Sequence, residues 1–166
     1  MPKINVKFSF LIFNALMFIF RESRLIFGFY IACLIHEAGH IIAVQLTGGN
    51  VQQIDFSWIG IKMTASPPCS IKAGIFVQLS GPTANLLTFL VLILAGNTGY
   101  IAIFSLAEGL FNLLPYSFLD GGAALDMLAE GAVNEPLLRK IYAALRLTVT
   151  AAIAFFIICG LFKIPV

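Results

Sequence analysis

The chain has 166 residues, of which 60% are hydrophobic and 11% are charged, and its formal net charge is +2 at pH 7. An average soluble domain has about 45–50% apolar and about 25% charged residues, so this composition excludes an ordinary soluble enzyme and a disordered chain. The few basic residues form no dense cluster, which argues against nucleic-acid binding, and an integral membrane protein is predicted.

Five apolar segments approach the length of about 20 residues that a membrane-spanning helix needs. In chain order they are residues 4–20, 25–46, 71–95, 100–114 and 141–162, and the fourth of them is short. Lys3 and Lys7 precede the first segment as in a signal peptide, but no small-residue cleavage pattern follows it, so an uncleaved first span is expected. The 3 cysteines are widely spaced and predict no disulfide framework.

Two polar stretches separate these segments. In the first, Ile54, Phe56 and Trp58 alternate with polar residues, and Ile59-Gly60 is expected to turn the chain. The pattern predicts a β-hairpin over residues 51–65. The second stretch, residues 115–140, is predicted to be a loop followed by a short, partly polar helix.

A metal-binding pattern lies inside the second predicted span. His36-Glu37-Ala38-Gly39-His40 is an H-E-x-x-H motif, in which two histidines one helical turn apart can bind one Zn²⁺. The intervening Glu37 is placed to take a proton from water on the metal. Ionisable groups in a membrane helix are costly and indicate function. The alternatives are a structural histidine pair bonded to neighbouring helices, or a haem bound by one histidine, which leaves Glu37 without a role.

Asp120 is the carboxylate best placed to be a third ligand, which a catalytic zinc usually has. It follows Pro115, which ends the fourth predicted helix, and it precedes Gly121-Gly122, where backbone can approach closely. A helix of 15 residues covers about 22 Å of a membrane core of roughly 30 Å, so this loop should still lie below the surface. Five spans make the second and fourth helices parallel, and both sites then lie at similar depth.

The sequence allows two roles for each of three further polar residues, Glu108, Arg146 and Asp126. Glu108 is an intramembrane carboxylate and therefore a functional candidate, although a neutral group bonded to a neighbouring helix is an equal alternative. Arg146 could pair with Glu108 or extend to the membrane surface. Asp126 could support a zinc-binding histidine, but a helix-cap or surface role is commoner.

The motifs together resemble the site-2 protease family of intramembrane zinc metalloproteases. The match covers roughly residues 30–130 and consists, in order, of the H-E-x-x-H motif, the G-P-x-x-N element in Ser80-Gly81-Pro82-Thr83-Ala84-Asn85, the N-x-x-P element in Asn112-Leu113-Leu114-Pro115, and L-D-G in Leu119-Asp120-Gly121. The resemblance implies one intramembrane metalloprotease domain over 1–166, with its core at about 25–130. The implied fold is an all-α polytopic membrane protein with about five transmembrane helices and a small membrane-associated β-hairpin.

The resemblance also assigns roles to individual residues. It implies that His36, His40 and Asp120 bind Zn²⁺ and that Glu37 is the general base. Asn112 is expected near the cleaved peptide bond, while Asn85 and Pro115 are expected to support the site.

One departure from the family concerns Phe118, which stands where a proline is often found two residues before the aspartate, so the local loop shape is expected to differ. A minimal member is expected, in which no PDZ domain interrupts the core and no regulatory domain follows the last helix. The chain is therefore similar to compact bacterial members such as the sporulation subgroup.

By this resemblance the partner is a membrane-protein substrate that is cut in or near its transmembrane segment, and an edge of the hairpin could pair with that segment by strand addition. A simple amphipathic surface loop is an equal alternative for the hairpin. Two other functions stay open: an inactive relative that binds membrane clients without cutting them, and an ion transporter.

The distribution of basic residues predicts the orientation in a bacterial cytoplasmic membrane. With five spans, one side carries six basic residues and the other three, and the more basic side is expected to be cytoplasmic and to hold the active site. The six are Lys3, Lys7, Lys62, Lys72, Arg139 and Lys140, and the three are Arg21, Arg24 and Lys163.

Overall fold

The computed structural model describes residues 2–19, 23–57 and 60–162. Within these ranges the fold is mostly helical, with one small sheet. The elements in chain order are β1 (Lys3–Val6), α1 (Phe8–Ile19), α2 (Ser23–Leu46), β2 (Val51–Ser57), β3 (Gly60–Ala65), α3 (Ile71–Leu94), α4 (Tyr100–Asn112), α5 (Asp120–Glu130) and α6 (Glu135–Phe162). The expected turn residue Ile59, and Trp58, Arg21 and Lys163, lie outside the described residues.

The first predicted span, residues 4–20, is wrong at its beginning. Lys3–Val6 forms a strand, because it pairs in parallel with β2 and places Ile4 opposite Ile54. The backbone amide of Lys7 continues this pairing by donating to the carbonyl oxygen of Phe56 at 2.9 Å. The helix that follows has 12 residues, about 18 Å, which is shorter than a hydrocarbon core of roughly 30 Å.

The predicted hairpin is present, and β1 extends it to a three-stranded sheet in the order β1-β2-β3. β2 and β3 are antiparallel, with Ile54 opposite Met63 and Phe56 opposite Ile61. The outer edge of β3 has no strand partner in the part of the chain that the structure describes. The hairpin therefore leaves one edge free beside the helices.

α2, α3 and α4 form the packed centre, and each agrees with a predicted span to within two residues at either end. Glycines allow the close approach of α2 to its neighbours, as is common between membrane helices. A Cβ on Gly39 would lie 2.6 Å from the carbonyl oxygen of Ser80 on α3, and a Cβ on Gly28 would lie 2.7 Å from the Cβ of Tyr100 on α4. This close packing brings the face of α2 that carries the two histidines against α3.

The polar stretch after α4, predicted over residues 115–140, is shorter in the structure because the last helix begins earlier. α5 is the expected short helix, but the last helix begins at Glu135 rather than at residue 141. Pro136, the second residue of the helix, is compatible with this beginning, because the fixed φ of proline suits the first turn and the N–H groups there have no partner within the helix. Arg139 and Lys140 therefore belong to α6.

Two helices of the described chain are long and apolar enough to cross a membrane, α2 over Arg24–Leu46 and α3 over Ile71–Leu94. Only 17% of the most apolar stretch of α3 is buried inside the protein, whereas the core helix of a soluble protein would be mostly buried. α4 is apolar but shorter. These features indicate a membrane protein, while the expected number of five spans stays a prediction.

Candidate metal centre

Three side chains from two distant parts of the chain bring one ligand atom each to a common point. His36 Nε2 lies 3.1 Å from His40 Nε2 and 2.9 Å from Asp120 Oδ2, and His40 Nε2 lies 3.3 Å from the same oxygen. Ligand atoms at about 2.0–2.1 Å from a tetrahedral zinc ion are about 3.3 Å from each other. The three atoms therefore have nearly the spacing that a small cation requires.

The two histidines lie one turn apart on α2 and are almost completely buried, with 5% of His36 and 7% of His40 exposed. The ring of His40 is held by the carbonyl oxygen of Val77 on α3, 2.7 Å from Nδ1. A carbonyl oxygen can only accept, so Nδ1 carries the proton and Nε2 presents its lone pair to the centre. This is the usual way in which the ring of a metal-binding histidine is oriented.

Asn85 of α3 lies behind the other ring and is fully buried. Its Nδ2 atom is 3.4 Å from His36 Nδ1. Because an amide has both a donor and an acceptor, Asn85 can hold either tautomer of that ring. Asn85 also interacts with Glu108 of α4, which contacts the thiol of Cys33. The residue expected to be a supporting polar group therefore links His36 to a buried carboxyl.

The loop at residues 113–119 determines where Asp120 lies. A Cβ on Gly121 would overlap the backbone of Leu113, and a Cβ on Gly122 would overlap the backbone of Tyr116. The glycine pair thus allows the loop to fold tightly onto the first turn of α5, where Asp120 begins the helix. Phe118, at the position where the family often has proline, is 81% exposed and stacks on Tyr116.

Two observations on this structure fit a metal ion at the common point. The Oδ2 atom of Asp120 is buried, and among the described residues no partner satisfies it with good hydrogen-bond geometry, although both rings are close. Gly81 of α3 leaves open space beside the rings, where a Cβ would lie 2.8 Å from His36 Nε2 and still closer to His40 Nε2. His36, His40 and Asp120 could therefore hold a metal ion.

The ligand atoms open into a cavity of about 1310 Å³. Glu37 and Asn112 line the same cavity, and the amide Nδ2 of Asn112 donates to the carbonyl oxygen of Glu108 at 3.2 Å. Ile61 and Met63 of β3 also line it. Pro115, in contrast, is buried outside the cavity lining, and its carbonyl oxygen accepts a hydrogen bond from Arg146 at 2.6 Å.

Arg146 and Asp126 form an ion pair with each other, whereas the sequence suggests Glu108 as the partner of Arg146 and a zinc-binding histidine as the partner of Asp126. Arg146 Nη2 lies 2.5 Å from Asp126 Oδ1, so the pairing of Arg146 with Glu108 and the contact of Asp126 with a histidine are not what the structure has. Burial acts to raise the pKa of Asp126, but hydrogen bonds with Ser117 and Arg146 outweigh it and leave this pKa below its usual range. The sequence contains no local signal for this ion pair, because its members belong to different helices.

No protein-family model matches the sequence, and no curated protein matches it. Among solved structures, the site-2 protease from Methanocaldococcus jannaschii is similar in fold, with a TM-score of 0.63 over 96% of this chain and 81% of that chain. The two sequences are 18% identical, so the similarity concerns the fold. The chain therefore has a site-2-protease-like fold, as the four motifs predict, and the sporulation subgroup stays a prediction.

Proposed function

We propose that the protein is an intramembrane zinc metalloprotease that hydrolyses peptide bonds in or near the transmembrane segments of membrane proteins. The observation that carries this proposal is the convergence of His36, His40 and Asp120 in a cavity that Glu37 also lines. The site-2-protease-like fold and the two apolar helices support it. Two imidazoles and one carboxylate with an open side are a donor set typical of catalytic zinc.

The chemistry is divided between the metal and one carboxylate. His36, His40 and Asp120 would hold the zinc ion, which when bound would supply the Lewis acidity that makes a water molecule acidic and polarises the peptide carbonyl. Glu37 accepts the proton of that water and then gives it to the leaving amine, as a general base and general acid. Asn112 lines the cavity, and the N–H of its amide that is not bonded to the Glu108 carbonyl oxygen would donate to the substrate backbone or to the oxygen that gains charge.

Water must reach this centre although the ligands lie in apolar helices. Irregular backbone at membrane depth is tolerated where it lines a water-filled cavity or packs on protein. The large cavity meets this condition, and residues 113–119 contribute Ser117 and Phe118 to its wall. Hydrolysis inside the membrane region is thereby reconciled with the need for water as a reactant.

Substrate binding is assigned to the free edge of β3. This strand lines the cavity through Ile61 and Met63, and the backbone groups on its outer edge have no strand partner within the described residues. An extended peptide can add to such an edge through main-chain hydrogen bonds. A substrate helix would unwind before cleavage, and the free edge would compensate the hydrogen bonds that the helix loses.

The orientation in the membrane follows from the basic residues near the sheet. Lys7 and Lys62 line the cavity, Lys3 begins β1 and Lys72 lies in the first turn of α3. Because basic residues are enriched on the cytoplasmic side, we assign the sheet and the cavity opening to the cytoplasmic face of a bacterial membrane. Labelling of Lys62→Cys by an impermeant thiol reagent in intact cells and in inverted vesicles tests this, and labelling only in intact cells contradicts it.

The decisive experiment joins metal analysis to a cleavage assay. The protein is purified in detergent and its zinc is measured, and it is co-expressed with single-pass membrane reporters that carry a tag at each end. We expect one zinc per chain and a cut reporter for the unchanged chain. For Glu37→Gln we expect retained zinc, no cleavage and co-purification of the intact reporter.

Glu130→Gln is the matched control, because Glu130 is an exposed carboxylate at the end of α5, away from the cavity. It should cut the reporter like the unchanged chain. Cleavage by purified Glu37→Gln would remove Glu37 as the base. Reporter binding without cleavage by the unchanged, zinc-loaded chain would favour an inactive client-binding relative.

A further inference from the structure

Arg146 of α6 contacts the loop that precedes the third metal ligand. Its Nε atom donates to the carbonyl oxygen of Pro115 at 2.6 Å, and its Nη2 atom pairs with Asp126 Oδ1 at 2.5 Å. The guanidinium group is a rigid planar fork, so the two contacts fix each other. One side chain therefore joins α6, α5 and the loop.

The neighbouring loop residues are tied to the same two helices. The hydroxyl of Tyr116 lies 2.8 Å from the Thr150 hydroxyl, one turn after Arg146 on α6. Ser117 forms a side-chain hydrogen bond with Asp126. Three consecutive loop residues, 115–117, thus each have a polar contact with α5 or α6. This arrangement fixes the loop only three residues before Asp120.

We propose that Arg146 and Asp126 are positioning residues that hold this loop so that Asp120 stays at metal-binding distance, an inference that rests on the proposed function. The glycine pair fixes the loop on its side toward α5, as described above. Arg146 connects the loop to α6, because its guanidinium is the partner of the carbonyl of the buried Pro115. Neither residue lines the cavity, so neither touches the reacting groups.

Metal binding is the property that should be most sensitive to this contact. A metal site tolerates displacements of only about 0.2 Å in ligand distance, whereas a folded helix bundle tolerates much larger loop shifts. Loss of residues that orient metal ligands typically lowers metal affinity by about 10–100-fold. The effect on zinc should therefore exceed the effect on folding.

The test uses the full chain in detergent, with zinc as the probe. Arg146→Met keeps the apolar stem and removes both contacts, and Arg139→Met is the matched control on the same helix. Arg139 is also ion-paired, at 2.7 Å from Glu135 of the same helix and at 3.9 Å from Glu130 at the end of α5, but both of these partners are exposed and neither is part of the loop. Zinc Kd is measured by competition with a chromogenic chelator, and the absorption spectrum of the Co²⁺-loaded protein reports ligand geometry.

We expect Arg146→Met to raise the zinc Kd about 10–100-fold and to change the Co²⁺ spectrum, with thermal unfolding close to that of the control. Asp126→Asn, which keeps an acceptor oxygen but loses the charge, should give a smaller loss in the same direction. This second variant decides the matter if Arg146→Met does not fold. An unchanged Kd and spectrum in the folded variants overturn the inference, whereas absence of zinc binding in the unchanged chain overturns the proposed function itself.

Discussion

His36 Nε2 on α2 and Asp120 Oδ2 at the beginning of α5 lie 2.9 Å apart, although one belongs to the second helix and the other to the fifth. The oxygen is buried and has no well-formed hydrogen bond within the described residues. Buried polar groups normally have a partner, so an exception calls for an explanation such as an ion. A cation shared by the two groups gives each of them its partner.

The first prediction concerns this oxygen. Asp120→Ala should lower zinc affinity by more than the about 10–100-fold that loss of an orienting residue costs, because it removes a ligand. Bound zinc is measured after dialysis against a weak chelator. Glu130→Ala removes an exposed carboxylate at the other end of α5 and should leave the zinc content unchanged. An equal zinc content in the two variants would remove Asp120 from the ligand set.

The second prediction concerns the space that Gly81 leaves beside the imidazole rings of His36 and His40. Gly81→Ala places a methyl group 2.8 Å from His36 Nε2 and still closer to His40 Nε2, so a ring must move. We expect loss of zinc and of cleavage, measured by metal analysis and the reporter assay. In the control, Gly131→Ala, the new methyl group would first meet the flexible end of Ile71 at 3.1 Å. Normal zinc content in Gly81→Ala would show that the centre does not use this space.

The sequence predicts the parts of the site that local patterns encode. The two histidines lie one turn apart on a helix, and that geometry follows from their spacing alone. The placement of Asp120 is also accessible, because a short apolar helix that ends at a proline leaves the next residues at membrane depth. These inferences need only helix geometry and the cost of burying ionisable groups.

Long-range pairing explains what the sequence does not reveal. Lys3–Val6 reads as the beginning of an apolar span, and only its parallel partner β2 makes it a strand. Arg146 has several acidic residues as conceivable partners, and its choice of Asp126 depends on how α6 packs on α5. The orienting contact of His40 is with the backbone of Val77, so no residue type could have indicated it.

The third prediction concerns pH and the sheet beside the cavity. Hydrogen bonds from Gln53, and then from Asn5, lower the pKa of Asp55. Because the folded pKa lies below the unfolded one, the stabilisation is complete above the unfolded pKa, about 3.9, and is lost as the pH falls through the folded value. Gln53→Ala should raise the pKa of Asp55, as measured by carboxyl ¹³C NMR in detergent.

The control for this titration is Asn50→Ala, since Asn50 lies just before β2 and its described hydrogen bonds are made by its backbone amide and carbonyl, both with Ser66. The pKa of Asp55 should be the same in this variant as in the unchanged chain. A pKa of Asp55 that Gln53→Ala leaves unchanged would contradict the assignment of its main hydrogen-bond partner.

The last prediction separates the orienting role of Asn85 from its role in packing. Asn85→Leu removes the amide beside His36 Nδ1, and it leaves Glu108 buried without that donor. We expect zinc affinity to fall about 10–100-fold, and the free energy of unfolding to fall by about 1–3 kcal/mol. Thr88→Val on the same helix is the control, because the side chain of Thr88 donates to the carbonyl oxygen of Ala84 within α3 and has no other hydrogen bond among the described residues.

The double variant Asn85→Leu with Glu108→Leu distinguishes the two effects. Replacing both members of a buried polar pair by apolar groups is nearly neutral for stability, so the unfolding free energy should recover. Zinc affinity should stay low, because the ring of His36 still lacks its neighbour. Recovery of zinc affinity together with stability would instead mean that Asn85 acts on the metal centre only through the packing of α3 against α4.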